Sequence, residues 1–357
     1  MTTHTSHTAR EIQAQTGTLR ETLARLSASE LPAWVEERDR TPVFVGCGTS
    51  HYLALYGAAV TQVLAQRPAV ALTGSEAWLL ADQTLRPWNG PFLVALSRSG
   101  ATTEVVRAAA EARRRGIPVL GITTTAGSEL AQLADASLVL DHVREQSVVM
   151  TQSFSNMLLA LQWLAARIAG GGRNPAAASF LGRLPEVAEA VARLHDRLAA
   201  EARRVVGAGG HGQYVFLGSG AFYGVAREGM LKMKEMTQLP ADAYVTLEFR
   251  HGPKAIVTPR TCVVVLSSRS TAAHDRDLAA EVAALGGKAV VLAEEGTVAP
   301  GGGVEVVALP PGYPEAQYAS LYTPFLQWLA FVETERLGLD PDRPRHLSQV
   351  VRLGAGA

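Results

Sequence analysis

Cysteine is nearly absent from this 357-residue chain, which carries only Cys47 and Cys262, one in each half. Two distant thiols supply neither a disulfide framework nor the ligand set of a structural zinc site. Charge is also scarce, at 18% of residues, below the ~25% usual in soluble domains. The 33 basic side chains equal the 33 acidic ones, and that balance argues against a nucleic-acid coat or a membrane-surface protein. No run approaches the ~18 consecutive apolar residues of a bilayer span. The opening Met-Thr-Thr-His-Thr-Ser-His-Thr has no apolar signal core. What is abundant is apolar residues, at 47%, enough for a large core and incompatible with global disorder. At ~150 residues per domain the length implies two domains. The expectation is a soluble, cytoplasmic protein with no nucleic-acid or membrane partner.

Apolar β-rich runs alternate with longer Ala/Leu/Arg-rich stretches. Residues 42–46, 92–96 and 118–122 read as strands; 53–63 and 103–115 read as helices after the first two. Unbroken apolar strands alternating with helices predict a parallel sheet covered on both faces. The first 40 residues read as two helical arms around Ser27-Ala28-Ser29. An internal repeat sets the architecture. Val43-Phe44-Val45-Gly46-Cys47-Gly48 recurs as Val215-Phe216-Leu217-Gly218-Ser219-Gly220 at an offset of 172. Leu96-Ser97-Arg98-Ser99 recurs as Leu266-Ser267-Ser268-Arg269 at 170, and Gly116 as Gly287 at 171. A near-constant offset predicts a duplicated α/β domain. The expected divisions are an N-terminal helical segment 1–36, a first domain 37–191, a second 192–336 and a tail 337–357, with the linker between Gly170 and Val205.

Two loops offer an anion site. Ser97-Arg98-Ser99-Gly100-Ala101-Thr102 ends a strand and opens a helix, where hydroxyls and N–H groups with no intrahelical partner suit a phosphate. Gly46-Cys47-Gly48-Thr49-Ser50 adds hydroxyls at the neighbouring strand end, and ligands gather at such carboxyl ends. The plainer reading is that these Ser and Thr residues only cap helices. Neither loop carries a nucleotide motif.

The richest segment is 218–253. At 100° per residue Glu228, Lys232 and Glu235 fall at 0°, 40° and 340°, one narrow face of a helix over 223–236. Two of the chain's four lysines lie in Leu231-Lys232-Met233-Lys234-Glu235. This is either a solvated face with an ordinary i,i+4 pair or a partly buried cluster in which carboxylate pKa values move toward neutrality. In Glu248-Phe249-Arg250-His251-Gly252-Pro253 the proline stiffens the turn that carries His251. That histidine is either a structural hydrogen-bonding residue or a proton carrier. The remaining histidines show no metal spacing.

In this order, the segments 97–100, 231–235 and 248–253 resemble the double-SIS (sugar isomerase) family. That family includes the isomerase half of glutamine–fructose-6-phosphate aminotransferase and stand-alone glucosamine-6-phosphate deaminases. The resemblance runs from Gly46 to Ser348 and implies two tandem SIS domains, each a flavodoxin-like parallel sheet flanked by helices. It implies that Thr49, Ser50, Ser97, Arg98, Ser99 and Thr102 hold a sugar phosphate, with a backbone contact near Val148 in Glu145-Gln146-Ser147-Val148. It implies catalysis by Glu235, with Lys232 and Glu228 on the same face, and ring opening by His251 supplied from a neighbouring subunit, hence a homodimer with shared sites. Aldose–ketose isomerisation needs a base to carry a proton between C1 and C2, and Glu235 fits that role. Lys232 would stabilise the developing enediolate oxygen. No metal or redox cofactor is expected.

Two departures stand out. With Thr at residue 2 no glutaminase half is expected, nor is glutamine-dependent amino transfer. Gln349, after Pro344-Arg345-His346-Leu347-Ser348, and Gln152 stand where relatives carry lysine. The expected activity is phosphosugar isomerisation of an aminosugar 6-phosphate with deamination. The alternatives are fructosamine-6-phosphate deglycation, isomerisation without deamination, and a non-catalytic sugar-phosphate sensor.

Overall fold

The computed structural model describes residues 6–353. Residues 1–5 and 354–357, the outer ends of the expected N-terminal segment and tail, lie outside it. Ten strands form two five-stranded sheets in which the paired strands are all parallel. The first contains β1 (Pro42–Gly46), β2 (Val70–Thr73), β3 (Phe92–Leu96), β4 (Val119–Thr123) and β5 (Ala136–Val139), ordered β2-β1-β3-β4-β5. The second contains β6 (Gln213–Gly218), β7 (Ala241–Tyr244), β8 (Thr261–Leu266), β9 (Lys288–Glu294) and β10 (Val304–Leu309), ordered β7-β6-β8-β9-β10. Numbered within its own half, each sheet therefore has the same flavodoxin-like doubly wound order.

Helical crossovers cover parallel sheets on both faces, which is why β1, β3, β4 and β8 are buried at every residue and mostly apolar. Val45, Leu93, Ala95 and Val105 build the core of the first sheet, and Val215, Val263, Val265 and Leu278 that of the second. Burying each such Val or Leu is worth about 1.5–3 kcal/mol.

The duplication extends to backbone angles. Gly48 (φ 54°, ψ −126°) and Gly220 (φ 57°, ψ −128°) precede helices of 17 residues each, Thr49–Ala65 and Ala221–Thr237. Both helices end on a left-handed glutamine, Gln66 and Gln238. The Gly48 and Gly220 conformation carries a steric penalty for any residue with a Cβ.

The chain resolves into two compact units. One holds the first sheet and comprises Ala14–Gln146, Met150–Ala188 and the residues from Ser348 onward; the other holds the second sheet with the residues up to Gln13, Ser147–Val149 and Glu189–Leu347. The N-terminal stretch is one 21-residue helix, His7–Ser27, followed after Pro32 by the single turn Ala33–Glu36. The Glu/Arg-rich stretch expected to contain the linker is a continuous helix, Pro175–Val206. In the unit of the second sheet, the Asp342 carboxylate caps helix His7–Ser27 by accepting from the His7 and Thr8 N–H groups at 2.7 and 2.8 Å. Among the described residues no helix is long and apolar enough to cross a membrane.

Candidate active-site elements

In the first sheet β1 and β3 are neighbours, while the crossover from β1 runs outward to β2 and the chain returns past it to β3. Such a reversal opens a crevice at the carboxyl ends of the two strands, and both hydroxyl-rich loops leave from those ends. Thr49 and Ser50 are buried in the first turn of helix Thr49–Ala65. After β3, the buried Ser97 Oγ accepts from Gly100 N at 3.1 Å and lies 3.1 Å from Thr102 Oγ1. Ser99 Oγ accepts from Ala101 N at 3.2 Å. Gly100 has φ 61°, and a Cβ there would meet Ser128 Oγ at 2.0 Å, so the turn admits no side chain. The Thr102 side chain does not cap its helix, whereas Ser128 and Thr73 do cap theirs. Ser97 and Ser99 instead hold the N–H groups of their own loop just ahead of the helix.

The structure gives Arg98 definite partners. Its Nη1 lies 3.1 Å from Glu145 Oε2, and its Nη2 donates to the Gln349 carbonyl at 2.8 Å. Its own carbonyl accepts the hydroxyls of Thr123, Thr124 and Thr125 at 3.0–3.2 Å, which fixes the loop. Glu145 is a residue that sequence reasoning quoted only as a motif start. It also accepts from Thr151 N at 2.7 Å and Ser153 N at 3.3 Å, serving as the acidic cap of helix Gln152–Ile168. The available signal was an acidic residue ahead of a Ser/Thr-rich helix start. Gln349 donates to Gln146 O at 2.8 Å, and Gln152 donates to Arg144 O, so both glutamines bond backbone. Ser99, Thr124, Arg98 and Gln349 border a cavity of about 290 Å³. Val148 is half-buried and belongs to the unit of the second sheet.

Helix Ala221–Thr237 brings Glu228, Lys232 and Glu235 together. Lys232 Nζ lies 3.4 Å from Glu228 Oε1 and donates to Glu235 Oε2. Glu228 and Lys232 are each 1% exposed, whereas the Glu235 side chain is 20% exposed. Glu235 is thus the carboxylate of the group that reaches the surface. Lys234 lies off this face, 3.7 Å from Asp242. His251 is exposed at the end of the 3-10 turn Thr246–Arg250, and its N–H donates to Glu248 O at 3.0 Å. Its flanking residues Arg250 and Lys254 both bind Glu281, each at 2.8 Å, so an exposed histidine sits on a pinned turn. Among the described residues no three His, Cys, Asp or Glu side chains converge as a metal site.

Burial, followed by the Glu104 charge, pushes the Cys47 thiol up to about 11; burial likewise raises Cys262. At pH 7.5 the folded chain should alkylate at Cys47 about two orders of magnitude more slowly than a free thiol, because the thiolate is the reacting form. Iodoacetamide labelling followed by peptide mass spectrometry measures this; labelling as fast as in denaturant would contradict a buried neutral thiol.

The sequence profile of the SIS domain matches residues 38–167 and 211–300. The chain is 31% identical over 326 residues to glutamine–fructose-6-phosphate aminotransferase from Thermus thermophilus, covering 89% of this chain and 52% of that protein. It thus spans about half the length of the curated relatives it matches. A crystal structure of glucosamine-6-phosphate deaminase from Thermotoga maritima superimposes with a TM-score of 0.79 at 30% identity, covering 98% of this chain and 100% of that one. The C-terminal domain of glucosamine-fructose-6-phosphate aminotransferase from Francisella tularensis shares the fold, with a TM-score of 0.85 at 21% identity over 96% and 99% of the two chains. With a profile match in each half and two sheets of one topology, the chain belongs to the SIS domain family.

Proposed function

We propose that this protein is a phosphosugar isomerase acting on an aminosugar 6-phosphate, with release of ammonia. The observation that carries the reading is a lysine buried between two carboxylates, of which Glu235 reaches solvent. Glu235 is the base that takes the proton from C2 and returns it at C1. Lys232 holds positive charge beside the developing enediolate. His251 passes the proton that opens the sugar ring, and its exposure on a pinned turn suits presentation to a second copy of the chain in a homodimer. Thr49, Ser50, Ser97, Ser99 and Thr102 grip the phosphate at uncapped helix starts. Arg98, held by Glu145, shapes that loop, and Val148 offers its backbone to the sugar. Proton transfer gives an enolamine and then an imine at C2; water adds there and ammonia leaves. None of these steps calls on a redox group. The likeness to a glucosamine-6-phosphate deaminase over the full length of both chains supports the deaminating form.

The test incubates the purified protein with glucosamine 6-phosphate and assays ammonia and fructose 6-phosphate together. Both should appear in equal amounts. Ketose without ammonia from a panel of hexose 6-phosphates would favour isomerisation without deamination. No turnover of any of them, with binding retained, would favour a sensor.

A further inference from the structure

The duplication allows the loop after β8 to be compared with the proposed phosphate loop after β3. Ser267 corresponds to Ser97, and the inward positions of the following helices correspond at the same offset. Val105, Ala108, Ala109 and Ala112 in helix Thr103–Arg114 answer to Asp275, Leu278, Ala279 and Val282 in helix Ala272–Ala284, and all eight are buried. One pair differs in kind. Where the first half has a valine, the second has an aspartate only 1% exposed.

The Asp275 carboxylate accepts from Ser267 Oγ at 2.7 Å and from Thr271 Oγ1 at 2.5 Å. In the first half the matching hydroxyl, Ser97, bonds within its own loop. A second carboxylate reaches the loop from the start of another helix. Glu315 Oε2 accepts from Ser270 N and lies within hydrogen-bond distance of Ser270 Oγ, both at 3.3 Å. Ser270 is the counterpart of Gly100, the residue whose left-handed turn shapes the first loop. The loop's cation is also engaged, since Arg269 pairs with Glu294 and donates to the Tyr313 carbonyl at 2.8 Å. Two hydroxyls, a backbone N–H at a helix start and a guanidinium are the donors that recognise a phosphate. Here all of them face acceptors from the chain itself.

We propose that the second loop is a self-occupied anion cradle: Asp275 holds the hydroxyl that matches Ser97 and Glu315 holds the helix-start N–H of Ser270, so this loop takes no phosphate. This rests on the reading that Ser97, Ser99 and Thr102 form the phosphate site. Two resident negative charges also repel an incoming anion, so the cradle is closed electrostatically as well as by its bonds.

Equilibrium dialysis of the full chain against labelled inorganic phosphate tests this. The wild type should bind about one phosphate per chain, and Glu315→Ala/Asp275→Asn about two, since removing both carboxylates frees a helix-start anion site. If the double variant is not folded by circular dichroism, Glu315→Ala alone carries the test, because Glu315 lies on a surface turn and its loss frees the Ser270 N–H. A folded variant with the wild-type stoichiometry, or a wild type that already binds two phosphates per chain, overturns the proposal. If Ser99→Ala/Thr102→Ala leaves wild-type binding undiminished, the first-loop reading fails. The second-loop proposal is then still judged by the difference between wild type and carboxylate variant.

Discussion

Glu235→Gln should lower kcat for aminosugar-phosphate turnover about 10³-fold, the middle of the range for removing a general base, while leaving phosphosugar affinity within a few-fold. The amide matches the carboxylate in shape but cannot accept a carbon-bound proton. The change should cost little stability, because the side chain is 20% exposed and Lys232 keeps Glu228 as its partner. Steady-state kinetics together with the ligand-induced shift in Tm separate the two effects. An unchanged Tm shift with lost turnover identifies an enzyme whose base has been removed. Turnover within tenfold of wild type would remove Glu235 from the chemistry. The variant also discriminates against a sensor, whose ligand response does not depend on a base.

Lys232→Met has the second large effect, and it falls first on stability. Nζ lies between two carboxylates at a position 1% exposed, and the partner it leaves behind, Glu228, is equally enclosed. Methionine fills much the same volume but strands a buried negative charge, and breaking such a pair from one side costs about 3–5 kcal/mol. Neutralising both groups in Lys232→Met/Glu228→Gln should restore most of that loss while leaving the enzyme inactive. Urea unfolding followed by fluorescence measures both differences. A single variant less than about 1 kcal/mol below wild type would mean that the ion pair contributes little net stability. A double variant no better than the single one would trace the loss to packing rather than to charge.

The parts legible in the sequence are those determined by local chemistry. Strands β1 and β3 have the residues expected for them because unbroken Val/Leu/Phe runs between turns leave little choice. The face shared by Glu228, Lys232 and Glu235 follows from helical geometry alone. The outer strand β2 was not anticipated. It is four residues long and half-buried throughout, so its apolar pattern is faint, and its existence depends on pairing with β1. Arg98 shows the other limit. Its loop position was legible, but its guanidinium's partners, Glu145 47 residues away and a tail carbonyl still farther along, follow no local pattern. Asp275 was invisible for a related reason: a short offset match at Ser267 says nothing about a buried carboxylate eight residues later.

The ends of the chain finish the opposite units. Asp342 binds the start of helix His7–Ser27 across more than 330 residues of sequence, within the unit of the second sheet. Gln349 gives its carbonyl to Arg98 across 251, within the unit of the first. A nascent chain leaving the ribosome therefore lacks the tail partner of Arg98 when the strands of the first sheet have emerged, because that segment has yet to be translated. A single cut in helix Pro175–Val206 leaves each piece holding a segment that groups with the other's sheet. Halves that repeat one topology thus exchange short segments at their two ends, and mixing the severed pieces would return each segment to its unit.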